Sequence, residues 1–121
     1  MARVLALVDD LFFQAKILET ARHAGVQVQV VGSGDALEQA LRDGSAPPAM
    51  ILLDLNARVG GLEALEKLRA SGSPAPVIAF LSHVQTELAA RARAAGCAEV
   101  MPRSQFTRHL AEILQRAKQP S

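Results

Sequence analysis

Three stretches of this chain, "RVLALV" at 3–8, "MILLDL" at 50–55 and "VIAFL" at 77–81, are nearly uninterrupted apolar runs of strand length. A strand with one wet face alternates apolar and polar residues. A run without alternation suits a strand covered on both faces, and therefore a sheet with helices above and below it. The intervening sequence supplies those helices. Residues 12–24 place Phe13, Ile17, Ala21 and Ala24 at helical spacing, with Gly25 as the stop. Segments 33–44 (Leu37, Leu41), 60–70 (Leu62, Leu65, Leu68), about 85–95 and about 105–117 (Phe106, Leu110, Ile113, Leu114) have the same character. Ser33 or Asp35 is placed to cap the second of them. Two more strands, the alternating "VQVQVVG" at 26–32 and the short "AEVM" at 98–101, bring the pattern to five strand–helix units.

Five such units with short connections predict a parallel sheet with helices on both faces. In 121 residues they match the flavodoxin-like, doubly wound α/β order 2-1-3-4-5. The expectation is a single domain over 3–117 and a frayed tail at 118–121.

Charge and cysteine content narrow the function classes. Thirteen basic residues against 12 acidic ones leave a net charge of +1, which gives no support to bulk electrostatic binding of nucleic acid or membrane. The single cysteine, Cys97, cannot form an internal disulfide and fits a reducing compartment. No stretch approaches the roughly 20 apolar residues of a membrane span. The N-terminal "MARVLALVDD" lacks a cleavable signal pattern. A soluble, cytoplasmic domain is expected.

In open α/β sheets the working residues gather at the carboxyl ends of the strands. There the sequence places Asp9 and Asp10 after the first strand, Asp54 and Asn56 at the third, Ser82 and His83 after the fourth, and Arg103 after the fifth. Clustered carboxylates repel unless a cation sits among them. Hard oxygen donors without thiols point to Mg²⁺, with Mn²⁺ as a substitute. Asp54, between the acids and the hydroxyl, is the central candidate for a carboxylate nucleophile that becomes an aspartyl phosphate. Arg103 can offset charge on an incoming phosphoryl group, and Ser82 can donate a hydrogen bond to it.

With those residues in place, "LALVDD", "ILLDLN", "PVIAFLS" and "AAGCAEVMPR" resemble the receiver domain of two-component response regulators. The resemblance runs over about residues 3–117. It implies a CheY-like phosphorelay domain rather than a conventional enzyme. Mg²⁺ would be held by Asp9, Asp10, Asp54 and the backbone carbonyl of Asn56. Asp54 would be the phosphoacceptor, and Ser82 the switch hydroxyl. Implied partners are a histidine kinase or small phosphodonor, and a downstream protein at the face of the fourth helix, fifth strand and last helix. Direct nucleic acid or membrane contact is not expected.

The pattern departs from the family at several points. Arg103 stands where the family has a lysine, Ser104 where it has proline, and Val100 where it has an aromatic switch residue. The loop after Asp54 and the segment from Ser82 to Gly96 each run one residue short. A receiver used as a protein-interaction module without phosphorylation is therefore a second expectation. There, Arg103 neutralises the acids constitutively. A flavin or nucleotide binder is disfavoured, because acids stand where a phosphate loop needs backbone donors.

Plainer readings accompany each residue. Asp9 or Asp10 can cap the first helix, Asp54 can simply end a strand, and Arg103 can be its ion-pair partner. His83, His23 and His109 read as surface residues, Cys97 as small filler, and Gly60-Gly61 as loop flexibility. From Arg91 onward six basic residues stand against two acids, which suits either a solvated face or an acidic partner.

Overall fold

The computed structural model describes residues 2–43, 47–58, 60–82 and 85–118. In chain order the elements are β1 (Arg3–Leu7), α1 (Leu11–Ala24), β2 (Gln27–Val31), α2 (Gly34–Asp43), β3 (Met50–Asp54), α3 (Gly61–Ala70), β4 (Val77–Leu81), α4 (Thr86–Ala94), β5 (Glu99–Pro102), α5 (Arg103–Arg108) and α6 (Leu110–Arg116). The five strands form one parallel sheet in the order β2-β1-β3-β4-β5, as the alternation of strands and helices predicts.

The continuous apolar runs are explained by two cores, one on each side of the sheet. Val4, Ala6, Val8, Met50, Leu52, Ile78 and Phe80 face α1, α5 and α6, meeting Phe13, Ile17, Phe106, Leu110 and Leu114. Their neighbours Leu5, Leu7, Ile51, Leu53, Val77, Ala79 and Leu81 face the other way, toward Leu37, Leu65, Leu68 and Ala92 of α2, α3 and α4. Successive side chains of a strand point to opposite faces, so a strand between two helical layers has no position for a polar residue. β2, at the sheet edge, keeps exposed glutamines in alternation.

Helix ends follow the local chemistry. Gly25 ends α1 in the left-handed region at φ 71°, which a side chain resists. Ser33 caps α2: its Oγ accepts from the Ala36 N–H at 3.0 Å, so the role falls to Ser33 and not to Asp35. The final helix differs from the expected single span over 105–117. It begins at Arg103 and is divided at His109, whose backbone sits at φ −106° and ψ 13°. The sequence has no glycine or proline there. Both parts keep one buried side, formed by Phe106, Leu110, Ile113 and Leu114. Lys118 donates from Nζ to the Ala24 carbonyl at 3.1 Å.

The early start of α5 matters for the site. β5 ends at Pro102 on a sheet edge, where a missing N–H is tolerated, and the chain turns directly into a helix. Arg103 therefore sits on a helical first turn and not in a loop.

Candidate functional site

Asp54 closes β3 and is 2% exposed, the only acidic or basic residue fully buried among those described. Its position follows from the strand: four buried apolar residues precede it, and the sheet carries it to the carboxyl edge. One oxygen, Oδ1, accepts the Asn56 N–H at 2.8 Å. The other, Oδ2, accepts from Arg103 Nη2 at 3.2 Å. Burial pushes the Asp54 carboxyl above its ordinary range, opposed by the Asn56 N–H and by Arg103.

The acid pair divides its work. Asp10 is the N-cap of α1, with Oδ1 accepting from Phe12 N at 2.9 Å and Phe13 N at 3.1 Å. The capping alternative is thus realised at Asp10, whose carboxyl is held below its ordinary range chiefly by the Phe13 N–H. Its second oxygen accepts from Arg103 Nη1 at 3.3 Å. Asp9 turns to the loop after β3, where Oδ2 accepts the Arg58 N–H at 2.8 Å.

Arg103 thus bridges Asp10 and Asp54 with the two ends of its guanidinium. Its Cζ lies 4.7 Å from the Phe13 ring centroid and 5.6 Å from that of Phe80. Phe13 meets Phe80 edge-on at 5.2 Å, and Phe80 stacks on Phe106 at 4.4 Å. The Arg103 Nε is buried and finds no hydrogen-bond partner among the described residues. Helical spacing marks Phe13 as core, and the structure adds that its ring carries a cation. That second role depends on a contact across 90 residues of chain (Phe13 to Arg103), which no local pattern encodes.

Ser82 follows β4 and is exposed; its N–H donates to Asn56 Oδ1 at 2.6 Å. Asn56 Nδ2 donates in turn to Gln85 Oε1 at 2.9 Å. The Asn56 side chain, and not only the backbone carbonyl expected to act there, has a role: it joins the ends of β3 and β4. Gln85 had no signal in the sequence. His83 lies outside the described residues.

Gly61 has a more specific reason than loop flexibility. A Cβ there would lie 2.5 Å from the Asp54 carbonyl oxygen and 2.9 Å from Leu55 Cα. Only glycine lets α3 start this close to the end of β3. Val100 is half-buried and, with Leu81, Gln85, Ala89 and Arg93, lines a cavity of about 290 Å³ between α4 and β5. On the opposite face of the sheet, Arg116 of α6 pairs with Glu99 at 2.5 Å, so part of the basic excess is satisfied within the chain.

The carboxylates near Asp54 are hard oxygen donors of the kind a divalent cation takes, but they are not gathered around one point as they stand. The described residues contain no group of three acidic, imidazole or thiolate side chains converging on one point. The guanidinium of Arg103 lies between Asp10 and Asp54, and a cation shared by those two acids would have to displace it.

No family model and no curated protein matches the chain. Solved structures do. The receiver domain of NtrX from Brucella abortus is 20% identical, with 98% of this chain and 99% of that one covered at a TM-score of 0.81. A response regulator receiver protein from Pseudoalteromonas atlantica is 18% identical over 96% of each chain, with a TM-score of 0.83. The phosphorylated cyanobacterial phytochrome response regulator RcpA is 18% identical, covering 94% of this chain and 89% of that one at 0.78. Against a longer NtrX chain, this chain spans 26% of the length. The fold is that of response-regulator receiver domains. No helix among the described residues is long and apolar enough to cross a membrane.

Proposed function

We propose that the chain is a phosphorelay receiver module in which Asp54 accepts a phosphoryl group and the altered surface regulates a partner protein. The observation that carries this reading is the buried carboxylate at the end of β3, flanked by Asp9, Asp10, Arg103 and the Ser82 segment on a receiver fold. Asp54 Oδ1 accepts the Asn56 N–H and Oδ2 accepts from Arg103, and on this reading Oδ2 is the nucleophile. That oxygen attacks the phosphorus of a phosphohistidine or acyl phosphate. The bond from phosphorus to the donor breaks, the donor leaves with its electron pair, and an imidazole leaving group takes up a proton. Arg103 offsets charge on the transferred group, and the Ser82 hydroxyl donates to one of its oxygens. Mg²⁺, or Mn²⁺ in its place, would be held by the carboxylates of Asp9, Asp10 and Asp54 and the Asn56 carbonyl, supplying further charge neutralisation when bound. The partners of this reading are a histidine kinase or small phosphodonor, and a protein meeting the face of α4, β5 and α6. It places the chain in the cytoplasm.

A second reading rests on the Arg103 bridge, which already neutralises Asp10 and Asp54. On that reading the domain docks to partners without being phosphorylated.

One experiment separates the two. The chain is incubated with Mg²⁺ and acetyl phosphate, or with beryllofluoride, and followed by intact mass and amide chemical shifts. The first reading expects a response in the wild type that D54N abolishes. An unresponsive wild type rejects it and leaves the second.

A further inference from the structure

We infer that Arg103, seated on the rings of Phe13 and Phe80, is a built-in competitor of the divalent cation for Asp10 and Asp54. This deepens the reading above, resting on its assignment of those acids as cation ligands, and adds how the site is kept closed.

The geometry has three independent parts. The guanidinium spans both carboxylates at once, 3.3 Å to Asp10 and 3.2 Å to Asp54. A lysine ammonium is a compact point charge and has no fork with which to do the same. The aromatic seat, 4.7 Å from Phe13 and 5.6 Å from Phe80, favours a flat delocalised cation. The Arg103 Nε is buried with no hydrogen-bond partner among the described residues, so the contacts they give the guanidinium are the two carboxylates and the rings. Phe13 also belongs to the turn that Asp10 caps, so seat and carboxylate move with one helix end. Phe13 and Phe80 are therefore positioning residues, which act by holding Arg103 between the acids. A divalent cation enters only when the guanidinium leaves its seat, which makes release of Arg103 the regulated event.

The test is Mg²⁺ binding to the full chain by titration calorimetry, repeated with Mn²⁺, for wild type, R103K, F13L and R103A. R103K keeps the charge and loses the fork. F13L keeps every charge and loses the nearer ring of the seat. Both are expected to bind roughly tenfold more tightly than wild type. Slow rotation of the Arg103 Nη groups by NMR in the wild type, lost in F13L, is the accompanying signature. If F13L fails to fold, R103K alone carries the test. Equal affinity in wild type, R103K and F13L overturns the inference, even where R103A binds more tightly, because charge alone then decides. Absence of binding in every variant, R103A included, overturns the underlying assignment as well.

Discussion

Arg103 reaches Asp54 across 49 residues of sequence and holds it at 3.2 Å, while the carboxylate itself is 2% exposed. Arg103 and the Asn56 N–H offset part of the cost of burying its charge. Removing the cation leaves the charge and takes away its partner. R103A is expected to lose about 3 kcal/mol of stability at neutral pH. In a D54A background the same substitution is expected to cost much less, because no buried charge is then stranded. Urea unfolding of the four proteins in this cycle measures the coupling. Additive costs would reject it.

The two carboxylates that share Arg103 differ in acidity. Burial raises Asp54 above its ordinary value of 3.8, and the Phe13 N–H foremost lowers Asp10 below 3.8. Native Asp54 holds its proton more firmly than the unfolded chain does. Its contribution to stability therefore falls as pH rises from 3.8 through its raised native value. Asp10 has the opposite sign: its contribution is present above 3.8 and is lost as pH falls through its lowered native value. Carbon-13 carboxyl titration is expected to show Asp10 ionising before Asp54 as pH rises. The reverse order contradicts the burial argument.

Gly61 stands where α3 passes the end of β3. A methyl group at 2.5 Å from the Asp54 carbonyl oxygen forces one of the two elements to move. G61A is expected to cost about 2 kcal/mol and to shift the Asp54 and Leu55 amide resonances. A neutral substitution with unchanged spectra would show that the contact relaxes freely.

The Asn56 side chain ties the segment after β4 to the end of β3 through Ser82 and Gln85. N56A removes both bonds at an exposed site, at an expected cost of about 0.5 kcal/mol. Hydrogen exchange at the Ser82 amide should accelerate, while exchange in β1 stays as it was. Unchanged protection of Ser82 would mean that the clasp does not hold this segment.

Cys97 is buried, its Sγ 3.3 Å from the Val77 carbonyl and 3.1 Å from that of Glu99, and burial raises its thiol above the ordinary range. Alkylation is expected to be slow in the native protein and fast once urea unfolds it. Rapid labelling without denaturant would contradict this placement.

The architecture was legible because it rests on short-range pattern. Runs such as "MILLDL" and "VIAFL" declare a two-faced burial on their own, and helical spacing assigned Phe13, Ile17, Phe106 and Leu110 to the core, where they are found. The candidate site was legible only as a set of residues. Strand ends bring Asp9, Asp10, Asp54, Ser82 and Arg103 to one edge, and that follows from topology. Which acid caps a helix, which accepts from Arg58 and which two share Arg103 depends on distances of a few tenths of an ångström. A local pattern cannot hold that information.

Sequence by itself determined the sheet, its order and the chemical character of its carboxyl edge, because burial and periodicity are properties of neighbouring residues. Tertiary structure decided the state of that edge. The start of α5 at Arg103, the approach permitted by Gly61 and the ring of Phe13 together set a guanidinium between two carboxylates. Each of these contacts joins segments far apart in the chain, and its strength depends on the burial that only the folded whole provides.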